Sequence, residues 1–216
     1  MTGALLTRWL PVPADYAATV AAMQAFTAAR TTTTPDELWL LEHPPVFTLG
    51  IAGRRAHVLD AGAIPVVATD RGGQVTYHGP GQLVAYPLID VRRRGLTSRA
   101  LVLALEDAVI RTVAAWGIAA RGRRDAPGVY VGAAKLASIG LRIRRGGSYH
   151  GLALNVDLDL APFGRIDPCG HPGQAVTDLR RLGVATTVRA TGDALAELLP
   201  ASLAAQAAAA SAAEPG

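Results

Sequence analysis

The stretch LVAYPLIDVRRRGLTSRALVLALEDAVIRTVAAW, residues 83–116, decides the fold class. Its first part, Leu83–Ile89, is a short apolar run ending in charge, which reads as a buried strand. Arg92, Arg93, Arg94 and Gly95 break it. From Ser98 to Trp116 the period changes. Leu101, Leu105, Ala108, Val109, Val113 and Trp116 share one helical face, Ser98 stands at the cap and Gly117 suits a left-handed stop. Upstream, Pro13–Arg30 reads as a helix, with Asp15 in its first turn and Tyr16, Val20, Met23 and Thr27 at helical spacing. Glu37–Glu42 and Val46–Leu49 read as strands around the stiff His43-Pro44-Pro45 corner, and Ile64–Ala68 as another. Downstream, strands are expected at Gly128–Val131, Lys135–Ile143 and Ser148–Val156, then a last helix from near Asp193. Strands in runs with helices set between them predict an α+β chain with a mixed, largely antiparallel sheet. It is read as one domain over residues 1–206, followed by an alanine-rich tail at 207–216 that is expected to be disordered.

Composition narrows the function classes. The chain has 216 residues and a net charge of +4; it uses arginine 20 times, lysine once at Lys135 and cysteine once at Cys169. A lone cysteine excludes an internal disulfide and a multi-cysteine zinc site. Half the residues are apolar and only 18% are charged, which is globular and not disordered. No window of about 20 apolar residues offers a membrane span. The start, MTGALLTRWLPVP, lacks the basic region of a signal peptide, so a cytoplasmic monomer is expected. The modest charge and few aromatic residues give no support for nucleic acid as a partner. The arginine excess reads as surface composition.

Three segments stand out from ordinary scaffold. Arg71–Gln82, RGGQVTYHGPGQ, is glycine-rich and able to bring backbone N–H groups close to a ligand, yet it fits neither nucleotide phosphate motif. Gly132–Gly140, GAAKLASIG, carries the single lysine among small and apolar residues. In a chain that otherwise writes arginine, a lysine points to a group that must give up a proton, which guanidinium does not do. Phe163–Gly173, FGRIDPCGHPG, puts Cys169 in a proline- and glycine-rich turn of the kind that exposes a nucleophile. A free thiol is only a few per cent thiolate at neutral pH and needs a base or a neighbouring cation. Lys135 is one candidate, and His78, His150 and His171 are the others.

Taken together, RGGQVTYHGPGQLVAYPLID (71–90), AAKLASIGLRI (133–143), HGLALNV (150–156) and PCG…VTDL (168–179) resemble the lipoyl/octanoyl transferase family, in order and over about half the chain. The resemblance implies the fold of the biotin and lipoate protein ligases. It implies octanoyl transfer from the phosphopantetheine thioester of an acyl carrier protein to a cysteine, then to the ε-amine of a lysine. The acceptors would be lipoyl domains of 2-oxo acid dehydrogenase complexes and the glycine cleavage H protein. Carried over, Cys169 is the nucleophile and Lys135 lowers its pKa or takes its proton. Arg71, Gly72, Gly73, Gln74, Val75, Thr76, Tyr77, His78, Ser138, Ile139, Gly140, Gly151, Leu152 and Ala153 would bind the acyl group and its carbonyl. Neither a metal nor a resident cofactor is expected. Backbone N–H groups near Cys169 or Gly140 would hold the oxyanion; Tyr77, Leu83 and Leu152 would wall an acyl tunnel. The clusters Arg92–Arg94 and Arg142, Arg144, Arg145 would either steer acidic partners or serve as plain surface. Two other readings stay open, an ATP-dependent lipoate–protein ligase and a non-catalytic binding module.

Overall fold

The centre of the molecule is set by segments whose side chains are buried on both faces. The computed structural model describes residues 4–167 and 174–212. In chain order its elements are β1 (Leu5–Trp9), α1 (Tyr16–Ala28), β2 (Asp36–Leu41), β3 (Val46–Leu49), β4 (Val66–Ala68), β5 (Val75–His78) and β6 (Gln82–Leu88). They continue as α2 (Ser98–Ala114), β7 (Arg121–Gly122), β8 (Gly128–Val131), β9 (Ala134–Arg144), β10 (Gly147–Asn155) and α3 (Val188–Ala212). Strands β2, β6 and β10 are buried along their whole lengths and lie inside a seven-stranded sheet of order β1-β2-β6-β10-β9-β8-β7. Only the β1–β2 pair is parallel in that sheet. A second sheet, β4-β3-β5, pairs parallel on one side and antiparallel on the other. The class is α+β and mixed, largely antiparallel.

Strand alternation sorts the core. Leu38, Leu40, Leu83 and Ala85 face α2 and α3, meeting Leu101, Leu105, Val109, Leu195 and Leu199. Trp39, Leu41, Val84, Tyr86 and Leu88 face α1 and meet Met23. The small sheet closes a third cluster, in which Phe47, Val75 and Tyr77 pack on Leu158, Phe163 and Ile166. One charged knot ties these layers. The buried Asp36 carboxylate accepts from Arg30, from Arg93 (2.6 Å), from Arg94 (2.6 Å) and from the Asp90 N–H (2.9 Å). Burial pushes the Asp36 pKa up, but the Asp90 N–H and the Arg94 and Arg93 charges outweigh it, and the net shift is downward. Two members of the Arg92–Arg94 cluster are therefore internal braces.

Several boundaries differ from the sequence reading, each for a local reason. Helix α2 is capped by Thr97, whose hydroxyl accepts the Ala100 N–H at 3.1 Å, so Ser98 is its first residue and not its cap. Helix α3 starts at Val188, where Thr187 caps through the Ala190 N–H at 3.1 Å, ahead of Asp193. It runs past Gln206 to Ala212, because alanine has the highest helix propensity; the tail expected to be disordered from 207 is helical over its described part. Strand β5 lies inside what reads as a glycine loop, and β1 pairs on an edge where no alternation marks it. The left-handed stop falls at Gly117, with φ +76°.

Candidate active site

The glycine segment folds back between the two sheets, and the braces that hold it there are specific. The Arg71 guanidinium donates from Nε to Thr48 Oγ1 (3.0 Å), from Nη1 to the Gly72 carbonyl (2.9 Å), and from Nη2 to the Thr48 and Gln74 carbonyls (2.7 Å each). Gly50 donates to the Gln74 carbonyl at 2.9 Å, and a Cβ at Gly50 would stand 2.3 Å from the Gly73 carbonyl. On the other side the Gly72 N–H donates to the Leu141 carbonyl of β9 at 2.9 Å. A Cβ at Gly140 would sit 2.8 Å from the Gly72 carbonyl. The loop thus approaches β9 more closely than any side chain would allow.

Between this loop, β9 and β10 lies a cavity of about 460 Å³. Lys135, on β9, lines it. Its backbone accepts from the Thr177 N–H (3.0 Å) and donates to the Ala175 carbonyl (2.8 Å). The Lys135 Nζ stands 5.2 Å from the ring centroid of the buried Tyr130, whose hydroxyl donates to the Ala126 carbonyl at 2.9 Å. A cation over an aromatic face is favoured in its charged form. Arg123 lies over the same ring at 5.1 Å while pairing with Asp125.

A buried polar chain runs under the cavity. His78 Nδ1 donates to Gln82 Oε1 (2.7 Å), Gln82 Nε2 to Asn155 Oδ1 (2.9 Å), and Asn155 Nδ2 to the Thr177 carbonyl (2.9 Å). It joins the glycine segment to the strand-like stretch beside Lys135. Burial, with His43 and Arg71 nearby, lowers the His78 pKa to about 3, so its ring is neutral. The His150 pKa is also lowered by burial, against the opposing pull of Asp70. The Asp70 carboxylate accepts from His150 Nε2 at 2.9 Å and from the Tyr149 hydroxyl.

Comparison with known proteins fits this arrangement. The model of the lipoyl protein ligase A/B catalytic domain matches residues 15–199. The chain belongs to that family. An octanoyltransferase of Alkalilimnicola ehrlichii is 64% identical over 80% of both chains. One of Aromatoleum aromaticum is 55% identical over 92% of this chain and 87% of its own. Among solved structures, a lipoate-protein ligase A bound with ATP superposes with TM-score 0.76 at 17% identity, over 94% of this chain and 86% of that one. A biotin protein ligase of Aquifex aeolicus gives TM-score 0.58 at 13% identity, over 92% and 70%. At such identities the structures share the fold.

Within this ligase A/B catalytic domain the cavity gathers Lys135, Arg71–Thr76, His78, Ser138–Gly140 and Gly151–Ala153. Tyr77 is not among its lining residues; alternation along β5 turns it into the small-sheet core, 5.5 Å from Phe47 and 5.6 Å from Phe163 between ring centroids. Leu83 likewise packs in the α2–α3 core, against Gly192, and is no tunnel wall. Cys169 and His171 lie outside the described residues. Sequence reasoning missed Tyr16, Tyr86 and Tyr130, which look like ordinary core aromatics until their neighbours are known. It also missed the bracing role of Arg71, since Thr48 lies on a different strand. Among the described residues, no helix is long and apolar enough to cross a membrane.

Proposed function

We propose that this protein transfers an octanoyl group from an acyl carrier protein thioester to a lysine ε-amine on a lipoyl domain. The observation that carries the reading is its 55–64% identity, over four-fifths or more of the chain, to proteins named octanoyltransferase. A cavity of about 460 Å³ lined by Lys135 and by small and apolar residues is consistent with this reading.

In the first step the Cys169 thiol gives its proton to Lys135 and its sulfur attacks the thioester carbonyl. The tetrahedral adduct collapses, the phosphopantetheine thiolate leaves, and Lys135 returns the proton to it. One thioester replaces another, so positioning and thiolate supply limit the rate. In the second step the neutral acceptor amine attacks the Cys169 thioester, and the C–N bond forms as the C–S bond breaks. Lys135, neutral again after the first step, takes the amine proton, and Cys169 leaves as a thiolate beside the resulting ammonium. The acyl group arrives activated, so neither ATP nor a bound cofactor takes part. Lysine suits both proton transfers, whereas arginine does not.

The test is a purified mixture of this chain, octanoyl–acyl carrier protein and a lipoyl domain without ATP, followed by intact mass. The lipoyl domain gains one octanoyl group. Acylation that requires ATP and free octanoate instead would establish the ligase reading.

A further inference from the structure

The cavity, lined on the α2 side by Ser98, Val102, Leu141 and Ile143, meets on the α1 side residues that the transfer steps do not use. Along β9, Lys135 and Leu141 are separated by about 20 Å at ~3.3 Å per residue, and Leu141 is the register partner of His150 on β10. The small residues Ser138, Gly140 and Ala153 line the interval. At the His150 end the lining changes to the rings of Tyr16, His78, Tyr86 and His150, none more than 5% exposed. Tyr16 stacks on His78 at 5.9 Å, and Tyr86 meets His150 edge-on at 6.2 Å between ring centroids.

These rings are fixed from behind. His43 donates Nδ1–H to the Ala14 carbonyl at 2.6 Å and accepts the Tyr86 hydroxyl at 2.8 Å on Nε2. Asp70 holds His150. The backbone of His150 is itself unusual, with φ +57° in the middle of a strand. Tyr149 and Ala153 pack toward α1, and Leu152 and Leu154 toward α2 and α3. Plain alternation would therefore place His150 with Leu152. The left-handed turn brings its ring instead to Asp70, Tyr149 and Tyr86, on the α1 side. The carried register sets it opposite Pro87, which has no N–H to donate there. Such strain at a buried, non-glycine residue lining a cavity is retained where a side chain must be aimed.

We propose that this ring cluster, with His150 as its decisive member, is the stop that sets the length of the acyl chain. The inference rests on the acyl-transfer reading above and adds what decides its substrate. An extended octanoyl chain advances about 9 Å at ~1.25 Å per C–C bond. With the Lys135 side chain at one end and the imidazole ring at the other, it fits within the roughly 20 Å spanned along β9. Interiors packed to crystal density do not stretch, so additional methylenes meet the rings.

Two variants test this. His150→Gly suits the left-handed backbone and removes the ring; Asp70→Ala, on a half-exposed side chain, removes only its brace. In His150→Gly, kcat/KM for decanoyl and dodecanoyl thioesters relative to octanoyl rises about tenfold or more, each newly buried methylene being worth about fourfold. Asp70→Ala moves the same ratio the same way by a smaller factor. A wild-type ratio in both variants, with native circular dichroism, overturns the proposal; if His150→Gly does not fold, Asp70→Ala decides. Calorimetry with free fatty acids reads the stop without turnover. Wild-type affinity climbs to octanoate and then falls, whereas in His150→Gly it keeps climbing through dodecanoate. Wild-type affinity that climbs through dodecanoate removes the stop even if transfer occurs. Failure of the wild type to acylate a lipoyl domain removes the proposed function and leaves the calorimetric result standing.

Discussion

Replacing Tyr130 by leucine tests how the lysine is prepared for its partner. The Lys135 Nζ lies 5.2 Å from the Tyr130 centroid, and Lys135 is half-buried. A cation–π contact contributes about 0.5–1 kcal/mol at the surface and about 2 when desolvated, so about 1–1.5 kcal/mol is expected here. At 1.36 kcal/mol per pKa unit, losing it moves the pH midpoint of Cys169 upward by at most about one unit, the limit in which the thiol proton passes to Lys135. Arg123 shares the ring but is exposed and paired with Asp125, so its release adds little. The assay is the rate of Cys169 alkylation by iodoacetamide against pH. Tyr130→Phe is the control, since it keeps the ring and removes the hydroxyl that bonds to Ala126. The reasoning fails if folded Tyr130→Leu keeps the wild-type midpoint, or if Tyr130→Phe shifts as far.

Lys135→Arg keeps the charge and abolishes proton transfer, so kcat falls by about 10²–10⁴ with KM little changed; steady-state transfer kinetics at near-wild-type rate would reject a proton role. Asp36→Asn leaves Arg30, Arg93 and Arg94 facing a neutral amide in a buried knot, and urea denaturation shows a loss of about 3–5 kcal/mol at pH 7. The same residue carries a pH signature. The folded pKa of Asp36 is depressed, so its contribution is full above the unfolded value of about 3.9 and fades as pH falls through the folded value. Wild type accordingly loses more stability than Asp36→Asn on acidification below pH 4, and parallel curves would contradict the assignment.

Much of this was legible where local chemistry and packing agree. The Leu101–Val113 face of α2 is buried as its spacing requires, and Val46–Leu49 and Gly128–Val131 fall where β-branched runs place them. Strand β5 was hidden because flanking glycines read as loop, although Phe47 and Thr48 of β3 pair with it. Edge strand β1, LLTRW, was hidden because its apolar and polar residues do not alternate and its middle is exposed. At the site, the single lysine and the glycine-rich block at 71–82 fall in segments that line the cavity. Their juxtaposition was not legible, since the approach of Gly72 to Gly140 and the bond from Asn155 to Thr177 depend on strand pairing between distant parts of the chain. Nor does a sequence disclose that His150 takes a left-handed φ within β10.

The central claim is a covalent acyl-enzyme on Cys169. Intact-mass analysis after mixing the wild-type protein with octanoyl–acyl carrier protein, with no acceptor present, tests it most directly. The account predicts a gain of one octanoyl group that hydroxylamine removes, that Cys169→Ser does not form under the same conditions, and that a lipoyl domain discharges. Octanoylation of the lipoyl domain by a wild-type protein that never carries the group would contradict it.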